Sequence, residues 1–447
     1  MRSTIATLTA LCLSTTAFGQ YPELHYDPID LGTLGGIASQ GHEAHGITTA
    51  LDRAVVGQAQ TPSGDWHPFL WTDGQMQDLG TFGGPLGSAA SMNLFGVVVG
   101  HADAPGPAAA NPRAFRWDPV NGLKDLGDLG GGRSWATGID LYGESICGHS
   151  VLANGDTHGF FRSAQGGPLV DIGTLGGSTS FADGVDASIV VGGATTATGS
   201  MRAIYWHPAM GLVDLGTLGG TTSRATATAN GSVCGWSRTA SGETHAFLVT
   251  SPLQPMTDLG TLGGTISMAL GMTNAGRIVG TSETEDGSLH AFYWDNLSQQ
   301  MLDLNDRIPE HSGWVLEAAT YTDDYGFISG HGIHQGVRRA FMLRPFKVQV
   351  VGFAGTTNTL KVDFCEPGEP IFYAWSLRGN AVSSPGFFGS RTGFGGLNYA
   401  GRATAKSWGQ ATLNLDVPAS VSGTTVYFKA IAPNRRLASP EVAKTYF

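Results

Sequence analysis

Histidine and aspartate are the side chains of this chain that combine useful chemistry with regular spacing. His67, His158, His245 and His290 occupy one position of a recurring segment, and Arg113, Arg202 and Arg339 occupy it elsewhere. Asp30, Asp78, Asp125, Asp171, Asp214 and Asp258 each open a glycine-rich phrase. Imidazoles and carboxylates are the raw material of proton transfer and metal binding. A metal centre needs neutral imidazoles converging within about 2.1 Å of one ion. Equivalent positions of separate repeats are spread apart, and arginine cannot ligate a metal. What His and Arg share is donor capacity, so this position is expected to make one structural hydrogen bond per repeat. The repeated Asp is expected to bond backbone or hydroxyl groups, and neither catalytic residues nor a metal or other cofactor are expected.

Other chemical signals are weaker. His42-Glu43-Ala44-His45 lacks the two-residue spacer of H-E-x-x-H, which sets both imidazoles on one helix face. His331 and His334 have the same spacing and are expected in a turn. No G-x-S-x-G elbow is present, and no Lys-Ser/Thr pair follows the glycine phrases to make a phosphate loop. Ten acidic residues lie between Glu283 and Asp324. They would suit a divalent cation but read as solvated turn residues. Trp66, Trp135 and Trp236 stand outside the repeat consensus and are the residues expected to touch a ligand, by stacking on sugars. A second aromatic stretch runs from Gly386 to Gly401.

The elements that must position these residues come from the repeat itself. DLGTLGG begins at Asp30 and returns, with small changes, at Asp78, Asp125, Asp171, Asp214 and Asp258, decaying to DLNDRIP at Asp303. The intervals are 48, 47, 46, 43, 44 and 45 residues, a period typical of repeat architectures. Each repeat reads as four short strands: a Ser/Ala-rich run, a V-V-G run ending at a glycine such as Gly57 or Gly280, an H-A-F-L-W run and the D-L-G run. Turns such as Asn154-Gly155 and Asn230-Gly231 suit tight hairpins. Four strands in about 45 residues match one propeller blade. Six full sets run from residue 37 to residue 306, and a seventh from Ser312 lacks its D-L-G strand. That strand is available at the other end, as YDPIDLG. The expected fold is all-β, a seven-bladed β-propeller closed by pairing of its N- and C-terminal strands, followed by a small β-sandwich.

These phrases resemble those of the HAF family of secreted bacterial repeat proteins, named for a tripeptide present as His245-Ala246-Phe247 and His290-Ala291-Phe292. The resemblance covers residues 24 to 345. It implies an extracellular repeat protein and carries over no catalytic residues. Pro68, Gly159 and Ile204 depart from the family pattern.

Composition bounds the rest. Sixty-six glycines in 447 residues serve the many turns. Residues 1–19 read as a secretory signal peptide, with Arg2, an apolar stretch and Ala17-Phe18-Gly19 before the expected cut. The propeller is assigned to residues 20–345 and the sandwich to 346–447, where alternating runs such as LKVDF appear. Cys147, Cys234 and Cys365 remain after cleavage, and the first two sit where other repeats place Val, as small core residues. A net charge of −11 disfavours nucleic acid and anionic membranes. No run reaches 18 apolar residues, so no membrane span is expected. The sequence therefore reads as a monomeric, secreted or periplasmic, non-enzymatic binding or scaffold protein for a glycan or protein partner. The alternative is a polysaccharide-acting propeller enzyme, a glycosidase or lyase, with its site at the channel mouth.

Overall fold

The computed structural model describes residues 26–46, 53–72, 74–105, 111–296 and 298–346. Beyond these it describes 348–353, 356–362, 368–376, 398–406, 410–417, 425–432, 437–438 and 442–446. The signal-peptide assignment, Cys365 and residues 386–397 of the aromatic stretch lie outside the described residues. His25–Pro345 forms one compact unit, and the chain from Phe346 contributes to a second. The described residues are almost entirely strand, with one 3-10 turn at Asn305–Arg307.

The repeat from Gly263 shows the local rule. Gly263–Met272, Arg277–Thr284, Leu289–Asp295 and Gln300–Asp303 pair antiparallel in chain order. The first strands of the other repeats are Ser39–Gly46, Gly87–Met92, Gly130–Ile139, Gly176–Asp186, Gly219–Ala229 and Trp314–Thr322. Each lies against the first strand of the next repeat, and Trp314–Thr322 lies against Ser39–Gly46. In that last repeat Ile328–His334 and Val337–Pro345 follow the first strand, and the fourth place is taken by Tyr26–Asp30 from the other end of the chain. Tyr26 stands opposite Pro345 and Asp30 opposite Phe341.

The core lies between neighbouring repeats. In Met201–His207, Ile204 and Trp206 pack with Cys147 and Phe161 of the preceding repeat, while Ala203 and Tyr205 pack with Ala225, Val233 and Phe247 of the following one. Both faces of the strand are thus covered, which is why it reads as continuously apolar instead of alternating. Phe69, Phe115, Phe160, Phe247, Phe292 and Phe341 are fully buried. The V-V-G glycine has a steric cause. A Cβ at Gly57, Gly148, Gly235 or Gly280 would run into the carbonyl oxygen of Gln40, Trp135, Arg224 or Met268 on the adjoining first strand. Cys147 and Cys234 are buried and lie in separate clusters.

In the second unit, Val348–Val351, Thr357–Val362 and Ala411–Asp416 form one antiparallel sheet. Asn398–Thr404, Pro370–Ser376, Thr425–Ala432, Leu437–Ala438 and Val442–Thr445 form another. Leu360, Val362 and Ala411 from the first sheet share one hydrophobic cluster with Ile371, Tyr373 and Phe428 from the second.

Candidate functional site

The repeated histidines and aspartates meet one another. Nδ1 of His67 lies 2.8 Å from Asp78 Oδ2 and Nδ1 of His158 lies 2.8 Å from Asp171 Oδ2. The same contact is 2.8 Å for His245 with Asp258 and 2.6 Å for His290 with Asp303. The other carboxylate oxygen accepts the backbone N–H two residues on: Gly80, Gly173 and Gly260 donate at 2.7 to 2.8 Å. Asp214 and Asp125 take the same bond from Gly216 and Gly127. Asp78, Asp171 and Asp258 therefore each fix their own glycine turn and tie it to the third strand, and Asp303 does the same for the turn at Asn305. The imidazole is a partner the aspartates were not expected to have.

Where Arg113 and Arg339 replace histidine the clamp is rebuilt, whereas Arg202 Nε is buried without a hydrogen-bond partner among the described residues. Arg113 Nη1 lies 3.1 Å from Asp128 and 4.0 Å from Asp125. Asp30, from the N-terminal strand, is held by His334 Nδ1 at 2.8 Å and by Arg339 Nε at 3.7 Å. The expected turn at His331–His334 is corrected: both residues belong to strand Ile328–His334, because Val337 pairs back onto His334 across a tight turn at Gln335-Gly336. His334 also stacks on Trp314 at 4.5 Å.

The first strands carry a different pattern. In the first six repeats the pairing with the second strand slips by one residue, leaving a bulge at His42, Ala90, Thr137, Asp183, Thr226 and Leu270, and in four of them it also shifts between the glycine pair and the following serine, as at Gly130/Ser134. The last repeat has a slip at Thr320 and another at Glu317. A bulge re-aims its side chain, and here several are aimed at the neighbouring repeat. Thr137 Oγ1 donates to Ala182 O at 2.6 Å, Thr226 Oγ1 to Ala269 O at 2.8 Å and Thr320 Oγ1 to Gly41 O at 3.2 Å. His42 Nδ1 reaches Ala89 O at 2.7 Å.

Asp183 cannot donate, and at this bulge the hydrogen bond gives way to an ion pair. Arg224, on the following first strand, grips it with Nε at 2.6 Å and Nη2 at 2.7 Å, leaving Nη1 for another acceptor. The guanidinium carbon lies 4.4 Å from the centroid of Phe181. Phe181 meets His149 edge-on at 5.1 Å, and His149 stacks on Trp135 at 4.9 Å. Trp236 is the cross-strand partner of Arg224. Six repeat-breaking side chains from three consecutive repeats thus form one half-buried arc. Of the tryptophans singled out in the sequence, Trp135 and Trp236 join it. Trp66 does not: it starts a third strand and bridges to Leu86.

Burial sets the protonation of the imidazoles along this wall. Desolvation pulls His149 down to about 4, with the Arg224 charge adding to the effect. Desolvation does the same to His101 and His331, both also to about 4, helped by their His neighbours and, for His331, by Arg338. All three are neutral near pH 7. His149 Nδ1 and His331 Nδ1 are buried without a hydrogen-bond partner among the described residues. Those residues hold no group of three metal-ligating side chains that could bind an ion. Asp183, Arg224, Phe181 and His149 were not picked out in the sequence. Their signal is variation inside a constant frame: the residue after the V-V-G glycine is Gln58, His101, His149, Gly193, Trp236, Thr281 or His331.

No known family model matches the chain, and no curated protein matches it. Solved structures do. A puromycin hydrolase is 13% identical over 77% of this chain and 62% of its own, with a TM-score of 0.45. A puromycin-hydrolyzing peptidase of Mycobacterium tuberculosis is 10% identical over 74% of this chain and 58% of its own, with a TM-score of 0.43. A gluconolactonase from Xanthomonas campestris is 12% identical over 71% of this chain and all of its own, with a TM-score of 0.33. The chain spans about three fifths of the length of the puromycin hydrolases it matches. These neighbours are hydrolases, so the expectation of a non-enzymatic chain does not stand and is corrected here. At this identity and TM-score they assign no activity. No helix among the described residues is long and apolar enough to cross a membrane. The described residues are all-β, in successive four-stranded antiparallel groups of propeller-like order.

Proposed function

We propose that the seven four-stranded groups form one closed ring and that the protein is an exported, polysaccharide-acting enzyme of the lyase type. Supporting closure are the Tyr26–Asp30 pairing with Val337–Pro345 and the bond from Thr320 to Gly41, 279 residues apart. The observation that carries the functional reading is the arc of Trp135, His149, Phe181, Asp183, Arg224 and Trp236. Other repeats place smaller or hydroxyl side chains at several of the equivalent positions.

The arc suits elimination better than hydrolysis. Glycoside hydrolysis uses two carboxylates flanking the bond, whereas this arc contains one, and Arg224 already grips it. In our reading Arg224 Nη1 binds the carboxylate of a uronic acid unit, and the Trp135 ring carries the sugar face. The neutral His149 imidazole takes the proton from the carbon next to that carboxylate. The electron pair forms a carbon–carbon double bond as the bond to the glycosidic oxygen breaks, and a proton from water completes the leaving hydroxyl.

The test offers polygalacturonate, alginate, hyaluronan and chondroitin, and follows the ultraviolet absorbance of unsaturated ends. The wild type is expected to release such ends from one of them, and His149→Ala and Arg224→Gln to lose at least ~100-fold in kcat/KM. Absence of product from all four, or full activity in both variants, would sink the proposal.

A further inference from the structure

We infer that the turns carrying Phe95 and Tyr142 form a separate binding platform for a neutral glycan chain. Both turns link a first strand to a second, in adjacent repeats. At this place three other repeats carry small or polar residues, Asp186-Ala187, Asn230-Gly231 and Asn274-Ala275, and the last repeat carries a lone Tyr325. Phe95 and Tyr142 are instead 67% and 65% exposed. Large apolar rings left in water at a rigid site mark a contact surface.

Rigidity is built in below them. Asn93 is fully buried, and its Oδ1 accepts the N–H groups of Phe95 and Val97, both at 3.0 Å. Its Nδ2 crosses to the other turn and donates to Gly143 O at 2.7 Å. Leu94 N–H adds a second link, to Leu141 O at 3.1 Å. One buried amide thus shapes the first turn and holds it to the second. The two rings are ordered before any ligand arrives, which lowers the entropy cost of binding.

Size and charge choose the ligand. Two aromatic side chains present about 300–500 Å² at most, well short of the ~1,000 Å² that a stable protein interface needs. A sugar chain needs little more than two stacking faces. The charged residues within 93–97 and 140–145 are Asp140 and Glu144. Glu144 holds Arg116 with two bonds of 3.1 Å, and Asp118 holds the same guanidinium, so that cation is neutralised twice over. Such a surface repels nucleic acid, anionic lipid and acidic polysaccharide alike. The platform is therefore distinct from the wall proposed above to take a uronic acid chain, and neither depends on the other.

Affinity electrophoresis of the full chain tests this, in gels cast with hydroxyethylcellulose, xyloglucan, galactomannan or soluble starch. The wild type is expected to be retarded in at least one gel. Phe95→Ala/Tyr142→Ala is expected to weaken that binding at least ~10-fold, since both stacking faces are lost. Leu253→Ala, which trims another exposed side chain, is expected to bind as the wild type. Retardation of the wild type by none of the four polymers overturns the inference, as does equal retardation of the double variant. Loss of self-association or of vesicle binding in the double variant, with glycan binding unchanged, overturns it as well.

Discussion

The third and fourth strands of this chain can be set against the first and second. In the third and fourth strands one solution recurs in most repeats: an imidazole or guanidinium holds an aspartate that fixes its own turn. In the first and second strands the frame recurs but the side chains do not. The bulge is occupied by His, Ala, Thr, Asp or Leu, and the residue after the V-V-G glycine ranges from Gly193 to Trp236. A residue kept in every repeat solves a problem that every repeat has, namely holding its own strands together. A residue that changes from repeat to repeat is relieved of that duty and can answer to something outside the fold.

The largest effect that would break this comparison comes from the strand that completes the last repeat. Removing residues 20–36 deletes all five pairings of Tyr26–Asp30 with Val337–Pro345 and leaves Val337–Pro345 as an open edge. It also removes Asp30 from between His334 and Arg339. Loss of the cooperative thermal transition is expected. A melting temperature equal to that of the full chain would show that the N-terminal strand contributes nothing to closure.

Acid should act next most strongly, and on the second strands. His101, His149 and His331 are each held near 4 in the folded chain, against about 6.5 when unfolded. Between those values the unfolded chain binds protons that the folded chain refuses. Stability is therefore fully present above about pH 6.5 and falls as pH drops toward 4, where the loss levels off for these groups. Melting curves of the wild type and of His101→Gln/His149→Gln/His331→Gln check this. The triple variant should lose less stability between pH 6.5 and 4, and parallel profiles would assign the acid sensitivity elsewhere.

The sequence shows the third and fourth strands far better than the first and second, for a physical reason. Period, turn chemistry and the missing D-L-G strand all follow from counting, because strands that repeat must be spelled the same way each time. Pairing was less visible. His245 and Asp258 each stood out, but nothing in their 13-residue spacing says that the imidazole meets the carboxylate instead of a carbonyl. The bulges were invisible, because a one-residue slip is a property of two strands in register and leaves no mark in either alone. Trp135 could be flagged as an intruder, whereas its partners could not: Arg224 stands 89 residues away in sequence, and Phe181 looks like any core residue.

A clamp and a bulge bond can then be compared directly. His245→Ala removes one clamp; the pair is partly solvated, so a loss of about 1 kcal/mol is expected. Thr226→Val keeps the shape of the bulge residue and removes its 2.8 Å bond to Ala269 O, together with a longer 3.2 Å contact to Cys234 O of its own repeat, for which about 0.5–1 kcal/mol is expected. Urea unfolding of the two variants measures the difference. The smaller number is the more informative one. Thr226 bonds across repeats, so its removal should loosen the seam between Gly219–Ala229 and Gly263–Met272, and hydrogen exchange there should quicken while the third and fourth strands keep their protection. His245 bonds within its own repeat, so its loss should quicken exchange at the Asp258–Gly260 turn and leave the seam alone. If both variants quickened the same amides, the two pairs of strands would be one cooperative structure, and the freedom of the wall to vary would need another cause.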